Sequence, residues 1–234
     1  MKFRNLFLTV VAGIFVLVAV ACDNNGGGNV MSSFTDDFEL HDMTYYGVEG
    51  AHQFYYMTMD EALAITTNAD FNGVLYFGFP GCPWCQAGIP VLHEAINVTD
   101  VPVFYVSRRH ALREGIWNEW DEQMANWLNE QVDLQWIYTT PATDATDEER
   151  ENFVPEPIRP NIFVPFVVHI RNGVVVNSHR GTFEGHARME EVEGRPTYPF
   201  TDAQHATLLA RYVEILNGVN ADEGCNLFAS DDCE

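Results

Sequence analysis

An apolar run that ends in Pro-Gly and is followed at once by two closely spaced cysteines constrains this chain more than any other feature. The run "GVLYFGF", residues 73–79, has the β-branched and aromatic composition of a buried strand. In the next segment, "CPWCQAGIPVLHEAI", Leu92 and Ile96 share one face of a helix. The pattern predicts a strand, a turn and a helix that opens with Cys82 and Cys85.

The remaining patterns predict a β-α-β-α-β unit, then a long interval, then a β-β-α unit. Thr58 and Glu61 have capping-box spacing, as do Thr201 and Gln204, so a helix is expected to begin at each pair. Asn-Gly at 172–173 predicts a hairpin turn, because both residues tolerate positive φ. The other predicted strands are 52–57, 101–106, 162–170 and 174–178, and the last helix is expected to end near residue 218.

This order of elements resembles the thioredoxin fold, which implies an α/β architecture with a central mixed sheet flanked by helices. Pro90 stands where family members kink the helix, and Val164-Pro165 stands where the family keeps a cis-proline facing the cysteines. Gly173 and Gly181 have the spacing of the family's hairpin-turn glycine and the glycine of the following strand. The resemblance covers residues 52–106 and 161–218.

The position of the two cysteines at a helix start favours thiol chemistry. Unpaired backbone N–H groups and the helix dipole stabilise a thiolate there, so Cys82 is expected to be the nucleophile and Cys85 the resolving cysteine. Pro83 suits the first helical turn, and Trp84 is expected to offer substrate a flat apolar contact. The resemblance further implies that Pro165 turns the backbone of Val164 toward the cysteines, where it can pair with an extended substrate peptide.

Two other interpretations of Cys82 and Cys85 are a structural disulfide and half of a zinc site. A zinc site needs two more ligands, and Cys225 and Cys233 do not have ligand-like spacing, so no metal and no cofactor are predicted. Cys225 and Cys233 are expected to form a local disulfide that holds the C-terminal tail, with a second redox shuttle pair as the alternative.

The chain departs from the thioredoxin pattern in two places, the residues between the two cysteines and position 76. "CPWC" is similar to the Cys-Pro-aromatic-Cys of glutaredoxins, and "YFGFPGCPWC" resembles thioredoxin-like bacteriocin transport accessory proteins. Some family members have a buried aspartate six residues before the first cysteine that helps to deprotonate the second, and here that position is Tyr76. Tyrosine is a poor base at neutral pH, so the sequence assigns no proton acceptor to Cys85.

The N-terminus has the pattern of an export signal. Lys2 and Arg4 precede an uncharged run, 6–21, that is short for a membrane span. The run ends in "AVAC", which resembles a lipobox and predicts a lipid on Cys22; an ordinary cleaved signal is the alternative. Lipidation predicts an extracytoplasmic protein anchored to a bacterial membrane, with residues 22–51 as a linker.

The charge of the chain restricts its partners. Removal of residues 1–21 takes away two cations and no anion, which changes the formal net charge from −22 to −24. A chain this acidic is repelled by nucleic acid and by anionic lipid surfaces, so neither is an expected partner.

Residues 107–161 form an insertion before the predicted cis-proline strand. An apolar stripe at helical spacing predicts one amphipathic helix packed on the thioredoxin-like body, with a wall of a substrate groove as the alternative. The acidic segment 139–157 is expected to be a solvated loop. The stripe consists of Leu112, Ile116, Trp120, Met124, Trp127 and Leu128.

The sequence as a whole predicts a thioredoxin-like domain over 52–218 and a tail over 219–234. The expected function is thiol-disulfide exchange on exported proteins or peptides, together with a redox partner protein. The alternative is a redox-inert accessory protein that uses the same body to bind peptides during export.

Overall fold

The structure is a computed structural model, and its first half contains the predicted β-α-β-α-β unit. The two capping boxes are present, because Thr58 caps the first helix with Glu61 and Thr201 caps the last with Gln204. The unit consists of β1 (Phe54–Met57), α1 (Met59–Thr66), β2 (Asn72–Gly78), α2 (Pro83–Thr99) and β3 (Val103–Ser107). The structure describes residues 43, 46–48, 51–112, 115–183, 186, 191–192, 195–196 and 199–221.

The second half contains the predicted β-β-α unit after a series of short elements. These are α3 (Arg109–Leu112), α4 (Glu119–Val132), β4 (Trp136–Tyr138), α5 (Asp147–Glu151) and β5 (Pro157–Pro160). The chain continues with β6 (Phe166–Arg171), β7 (Val174–Arg180), β8 (Glu191–Val192), β9 (Arg195–Pro196) and α6 (Asp202–Asn220). None of the described helices is both long and apolar enough to cross a membrane.

Five strands form one mixed sheet in the order β1-β3-β2-β6-β7. β3 runs parallel to β1 and β2, whereas β6 runs antiparallel to both β2 and β7. This sheet with flanking helices is consistent with a thioredoxin-like fold, so the predicted fold class is confirmed. β4 pairs with β5 in a separate two-stranded sheet, and β8 pairs with β9 in another.

The core lies between this sheet and the helices, and strand alternation decides which side chains enter it. Val74 and Tyr76 belong to the cluster formed with α2 and α6, together with Tyr105 of β3 and Val167 of β6. Successive side chains of a strand point to opposite faces, so Leu75 is directed to the other face. β2 is buried along its whole length because both of its faces are covered.

The hairpin between β6 and β7 has the predicted turn. Asn172 has φ of 53° and Gly173 has φ of 75°. A Cβ atom on Gly173 would stand 2.7 Å from the carbonyl oxygen of Thr66, so the turn also requires glycine for space. The predicted strand 162–170 is too long at its start, because pairing begins only at Phe166, after Pro165, which has no N–H to donate.

The amphipathic helix predicted for the insertion is shorter than its apolar stripe. α4 begins after Asn118, which caps it with Asp121, so Ile116 precedes the helix and is exposed. Met124 and Leu128 are buried, and α4 packs against α1 and β7, so packing on the sheet body is confirmed for this part of the stripe, whereas Trp120 is 40% exposed. The predicted acidic loop also contains a short exposed helix, α5, which Thr146 and Glu149 cap.

A buried ion pair joins the sheet to α4. Arg108 follows β3, is 1% exposed, and its guanidinium pairs with the carboxylate of Asp121. Its Nη2 donates to Oδ1 of Asn161 at 3.1 Å, and its backbone N–H donates to the carbonyl of Gly78 at 2.7 Å. Burial lowers the pKa of Arg108 to about 10 although Asp121 opposes this effect, so the guanidinium stays charged at neutral pH.

Candidate functional site

The two motif cysteines lie where β2 gives way to α2. The backbone N–H of Cys82 donates to the carbonyl of Phe79 at 3.0 Å, which closes the turn after the strand. Cys82 is the N-cap of α2, with extended backbone angles, and Pro83 occupies the first helical turn, where its missing N–H has no helical partner to lose. The predicted helix start is therefore confirmed.

The sulfur of Cys82 is turned back over the first turn of α2. It accepts a hydrogen bond from the backbone N–H of Cys85 at 3.4 Å and lies 3.8 Å from the carbonyl oxygen of Val164. These contacts leave Cys82 only 3% exposed, so it is almost as deeply buried as Cys85. Both cysteines are free thiols in this structure.

The pKa values of the two thiols are shifted in opposite directions by their surroundings. A hydrogen bond from the side chain of Cys85 lowers the pKa of Cys82, and the backbone N–H groups of Cys85 and Trp84 lower it further, against the effect of burial. Burial raises the pKa of Cys85 well above its ordinary value, and the neighbouring sulfur of Cys82 adds to the rise. Cys82 is thus the thiol that ionises first.

Tyr76, at the position where some thioredoxin-like proteins have a buried aspartate, lies on the same face of the sheet as Cys85. Its hydroxyl lowers the pKa of Cys85, against the larger effect of burial, without forming a well-aligned hydrogen bond. Burial also raises the pKa of Tyr76 itself, so near neutral pH its hydroxyl stays protonated and can donate a hydrogen bond but cannot act as a base.

The segment before β6 brings the backbone of Val164 next to Cys82. The peptide bond between Val164 and Pro165 is cis, and the carbonyl oxygen of Val164 faces the sulfur of Cys82. On the other side, the carbonyl of Pro165 accepts a hydrogen bond from the backbone N–H of Gly181 at 2.7 Å. The two sequence-predicted parts of the site, 82–85 and 164–165, therefore meet.

Trp84 is the exposed member of the motif. It is 42% exposed, and its indole N–H donates to the backbone carbonyl of His186 at 3.2 Å. The ring of His186 stacks on Phe200, with centroids 4.5 Å apart, and its Nδ1 lies 2.6 Å from Oγ1 of Thr182. Sequence reasoning missed this support for Trp84, because the residues come from beyond β7 and match no motif.

Sequence reasoning also missed Tyr212, a buried residue of α6. Its hydroxyl lies beside α2 at Gly88, one turn after Cys85, and the proximity of Cys85 contributes to raising the pKa of Tyr212. Tyr212 is 127 positions after Cys85 in the chain, so only the packing of α6 on α2 brings them together.

Several predicted positions lie outside the described residues. These are the signal segment, Cys22 with most of the linker, and both Cys225 and Cys233 of the tail. Within the described part of the chain, no three His, Cys, Asp or Glu side chains are grouped as metal ligands.

No protein-family model matches the chain, and no curated protein matches its sequence. The architecture and the geometry around Cys82 are therefore the basis for any functional conclusion.

Proposed function

We propose that this protein is a thiol-disulfide oxidoreductase in which Cys82 is the nucleophile and Cys85 the resolving cysteine. The observation that supports this most is the opposite direction of the two pKa shifts within one turn of α2. An attacking thiol must be ionised near the working pH, whereas a resolving thiol needs to ionise only after a mixed disulfide has formed.

The reaction has two exchange steps. In the reducing direction, the Cys82 thiolate attacks one sulfur of a substrate disulfide, which forms a Cys82–substrate disulfide and releases the other substrate sulfur as a thiolate that takes up a proton. Cys85 then loses its proton and attacks the Cys82 sulfur. The Cys82–Cys85 disulfide forms, the bond to substrate breaks, and the second substrate sulfur takes up a proton. The oxidising direction is the reverse.

The surroundings of Cys82 are suited to a polypeptide substrate. The carbonyl of Val164 stands 3.8 Å from the nucleophilic sulfur and offers a backbone acceptor to an extended chain. Trp84 supplies an exposed apolar ring beside it, with Pro83 and Pro165 as the other proposed contacts. This arrangement supports substrates that present a disulfide in an extended segment.

The proposed location is the outer face of a bacterial membrane, where the protein is held by a lipid on Cys22. The support is the leader pattern of residues 1–21 and the similarity of "AVAC" to a lipobox. The proposed partners are exported proteins or peptides and a redox protein that resets the Cys82–Cys85 pair. The chain's negative charge favours substrates that are not strongly acidic.

Replacement of Cys85 with serine is expected to trap substrates on Cys82. The first exchange step remains possible, but no thiol resolves the mixed disulfide, so it accumulates in cells that express the variant. Non-reducing electrophoresis and mass spectrometry of the purified variant measure the adducts. The matched control is the Cys82→Ser/Cys85→Ser variant, which has no nucleophile and is expected to trap nothing.

Two outcomes of this trapping experiment would contradict the proposal. If Cys85→Ser carries no adduct, a redox-inert peptide-binding protein becomes the better account. If the double variant carries the same adducts as Cys85→Ser, the linkage is through another cysteine and Cys82 is not the nucleophile.

A further inference from the structure

Two tyrosine hydroxyls are buried next to the candidate site without a well-aligned hydrogen bond. Tyr76 of β2 and Tyr212 of α6 are fully buried, and neither hydroxyl makes a well-aligned hydrogen bond within the described part of the chain, although that of Tyr76 is near enough to Cys85 to lower its pKa. Buried hydroxyls are normally paired, because removal from water without a replacement partner costs free energy. A buried hydroxyl without a good hydrogen bond beside a reactive group therefore suggests that its partner forms only during one step of the reaction.

The ring of Tyr76 leans along β2 toward the motif. A Cβ atom on Gly78 would stand 2.4 Å from Cε1 of Tyr76 and 3.1 Å from its hydroxyl oxygen, so the ring occupies the space that a side chain at position 78 would need. Gly78 is the last residue of β2, and Cys82 follows after a short turn. The Tyr76 hydroxyl is thus directed to the end of the strand where α2 begins.

The hydroxyl of Tyr212 approaches the same region from α6. It lies 3.3 Å from the position that a Cβ atom on Gly88 would take, and the ring of Pro165 lies 3.9 Å from that position. Gly88 is one turn after Cys85, so Tyr212 reaches the face of α2 that looks toward the cis-proline segment. Gly78, before the motif, makes room for Tyr76, and Gly88, after the motif, makes room for Tyr212.

We propose that the hydroxyls of Tyr76 and Tyr212 are hydrogen-bond donors for the thiolate of Cys85, the form in which Cys85 attacks the mixed disulfide. This inference rests on the proposed oxidoreductase function. A thiol is a weak acceptor and a thiolate a strong one, so the hydroxyls gain a full partner only when Cys85 ionises. The hydroxyls promote the resolving step without accepting the proton that Cys85 loses. One proton leaves Cys85 and one is taken up by the released substrate sulfur, so the step is balanced.

The other titratable groups around Cys85 do not supply this role. Cys82 is bound in the mixed disulfide at that stage, and the Tyr46 hydroxyl, which faces Tyr76, is hydrogen-bonded to Tyr105 at 3.0 Å. The ring of His179 packs edge-on to Tyr212, and burial lowers its pKa, so it carries no charge near neutral pH. Two neutral phenols thus replace the single carboxylate of the family pattern.

Reaction of the reduced protein with 5,5′-dithiobis(2-nitrobenzoate) separates the two steps. Cys82 releases one thionitrobenzoate ion as it forms the mixed disulfide, and Cys85 releases a second as it resolves it. The second phase is identified by its loss in Cys85→Ser. We compare Tyr76→Phe, Tyr212→Phe and the double variant with wild type from pH 6 to 10. Tyr105→Phe is the matched control, since it removes a buried hydroxyl that bonds Tyr46.

The second phase is expected to slow in both tyrosine variants, most in the double variant, and its rate is expected to rise at higher pH than in wild type. A rise of about one unit in the Cys85 pKa means tenfold less thiolate, offset by its greater nucleophilicity, so the net slowing at pH 7 is about threefold. The first phase and the melting temperature are expected to be unchanged, because the removed hydroxyls bond nothing else.

The outcomes distinguish this inference from the proposed function. If wild type shows a second phase and the double variant shows it at the same rate and pH dependence, the tyrosine inference is wrong and the oxidoreductase proposal stands. If the variants lower the melting temperature and slow both phases equally, the hydroxyls are structural and the inference is also wrong. If wild type has no second phase, the proposed function itself fails.

Discussion

Replacement of Cys82 with serine is expected to lower the rate of disulfide exchange by at least about 1000-fold. The serine hydroxyl is not ionised near neutral pH, and it forms no mixed disulfide, so both exchange steps are lost. The measurement is turnover of a disulfide-containing peptide with dithiothreitol as electron source. Because serine is close to cysteine in size and can still cap α2 from position 82, the fold is expected to be retained.

The tail cysteines provide the control for this loss. The Cys225→Ser/Cys233→Ser variant is expected to keep its turnover within about twofold of wild type, because these residues are proposed to form only a local disulfide. If Cys82→Ser retains turnover and the tail variant loses it, the reacting pair is in the tail. In that case Cys82 is not the nucleophile.

Replacement of Asp121 with asparagine is expected to lower the free energy of unfolding by about 3–5 kcal/mol. Asn has nearly the shape of Asp, but it leaves the fully buried guanidinium of Arg108 without an opposite charge. The Asn161 side chain remains as a neutral partner and cannot replace the carboxylate. Urea denaturation at pH 7 measures the change.

Two further variants show whether the effect comes from the buried charge. Glu122→Gln makes the same chemical change at the next position of α4, where the side chain is exposed, and is expected to stay within about 0.5 kcal/mol of wild type. Arg108→Met/Asp121→Leu removes both charges and is expected to recover much of the lost stability. A cost below about 1 kcal/mol for Asp121→Asn would contradict a buried, uncompensated Arg108.

The order of the elements could be predicted because its signals are local. Each capping box indicates a helix start within four residues, as Thr58 with Glu61 and Thr201 with Gln204 do. Asn-Gly at 172–173 indicates the hairpin turn. The start of the insertion helix could not be predicted from the apolar stripe. The helix begins after its N-cap, Asn118. Ile116 has the spacing of the stripe, but it lies before the helix and is exposed.

The candidate site could be predicted where it lies in one short motif or matches the thioredoxin pattern. Only two residues separate Cys82 from Cys85, and the proximity of Val164 follows from the resemblance to thioredoxin. Tyr212 and His186 have no motif, and they reach the site through the packing of distant segments. Sequence reasoning considered Tyr76 only as a poor base; its unpaired hydroxyl is visible only once the ring is seen to lie over Gly78.

The pKa shifts also bear on the redox potential of the pair. A lowered pKa of Cys82 stabilises the reduced form, since the thiolate exists only after reduction, and this makes the disulfide more oxidising. The raised pKa of Cys85 keeps the second thiol protonated, so Cys85 does not stabilise the reduced form further. The disulfide is therefore expected to be more oxidising than one formed from two thiols of ordinary pKa.

The reduction potential of the Cys82–Cys85 pair tests the central claim most directly. The protein is equilibrated in glutathione and dithiothreitol redox buffers, free thiols are alkylated, and the peptide that carries both cysteines is quantified by mass spectrometry. A two-electron transition with a midpoint between about −120 and −270 mV is expected for a catalytic pair. A pair that stays oxidised below about −300 mV, or forms no disulfide in the most oxidising buffer, would contradict the proposed function.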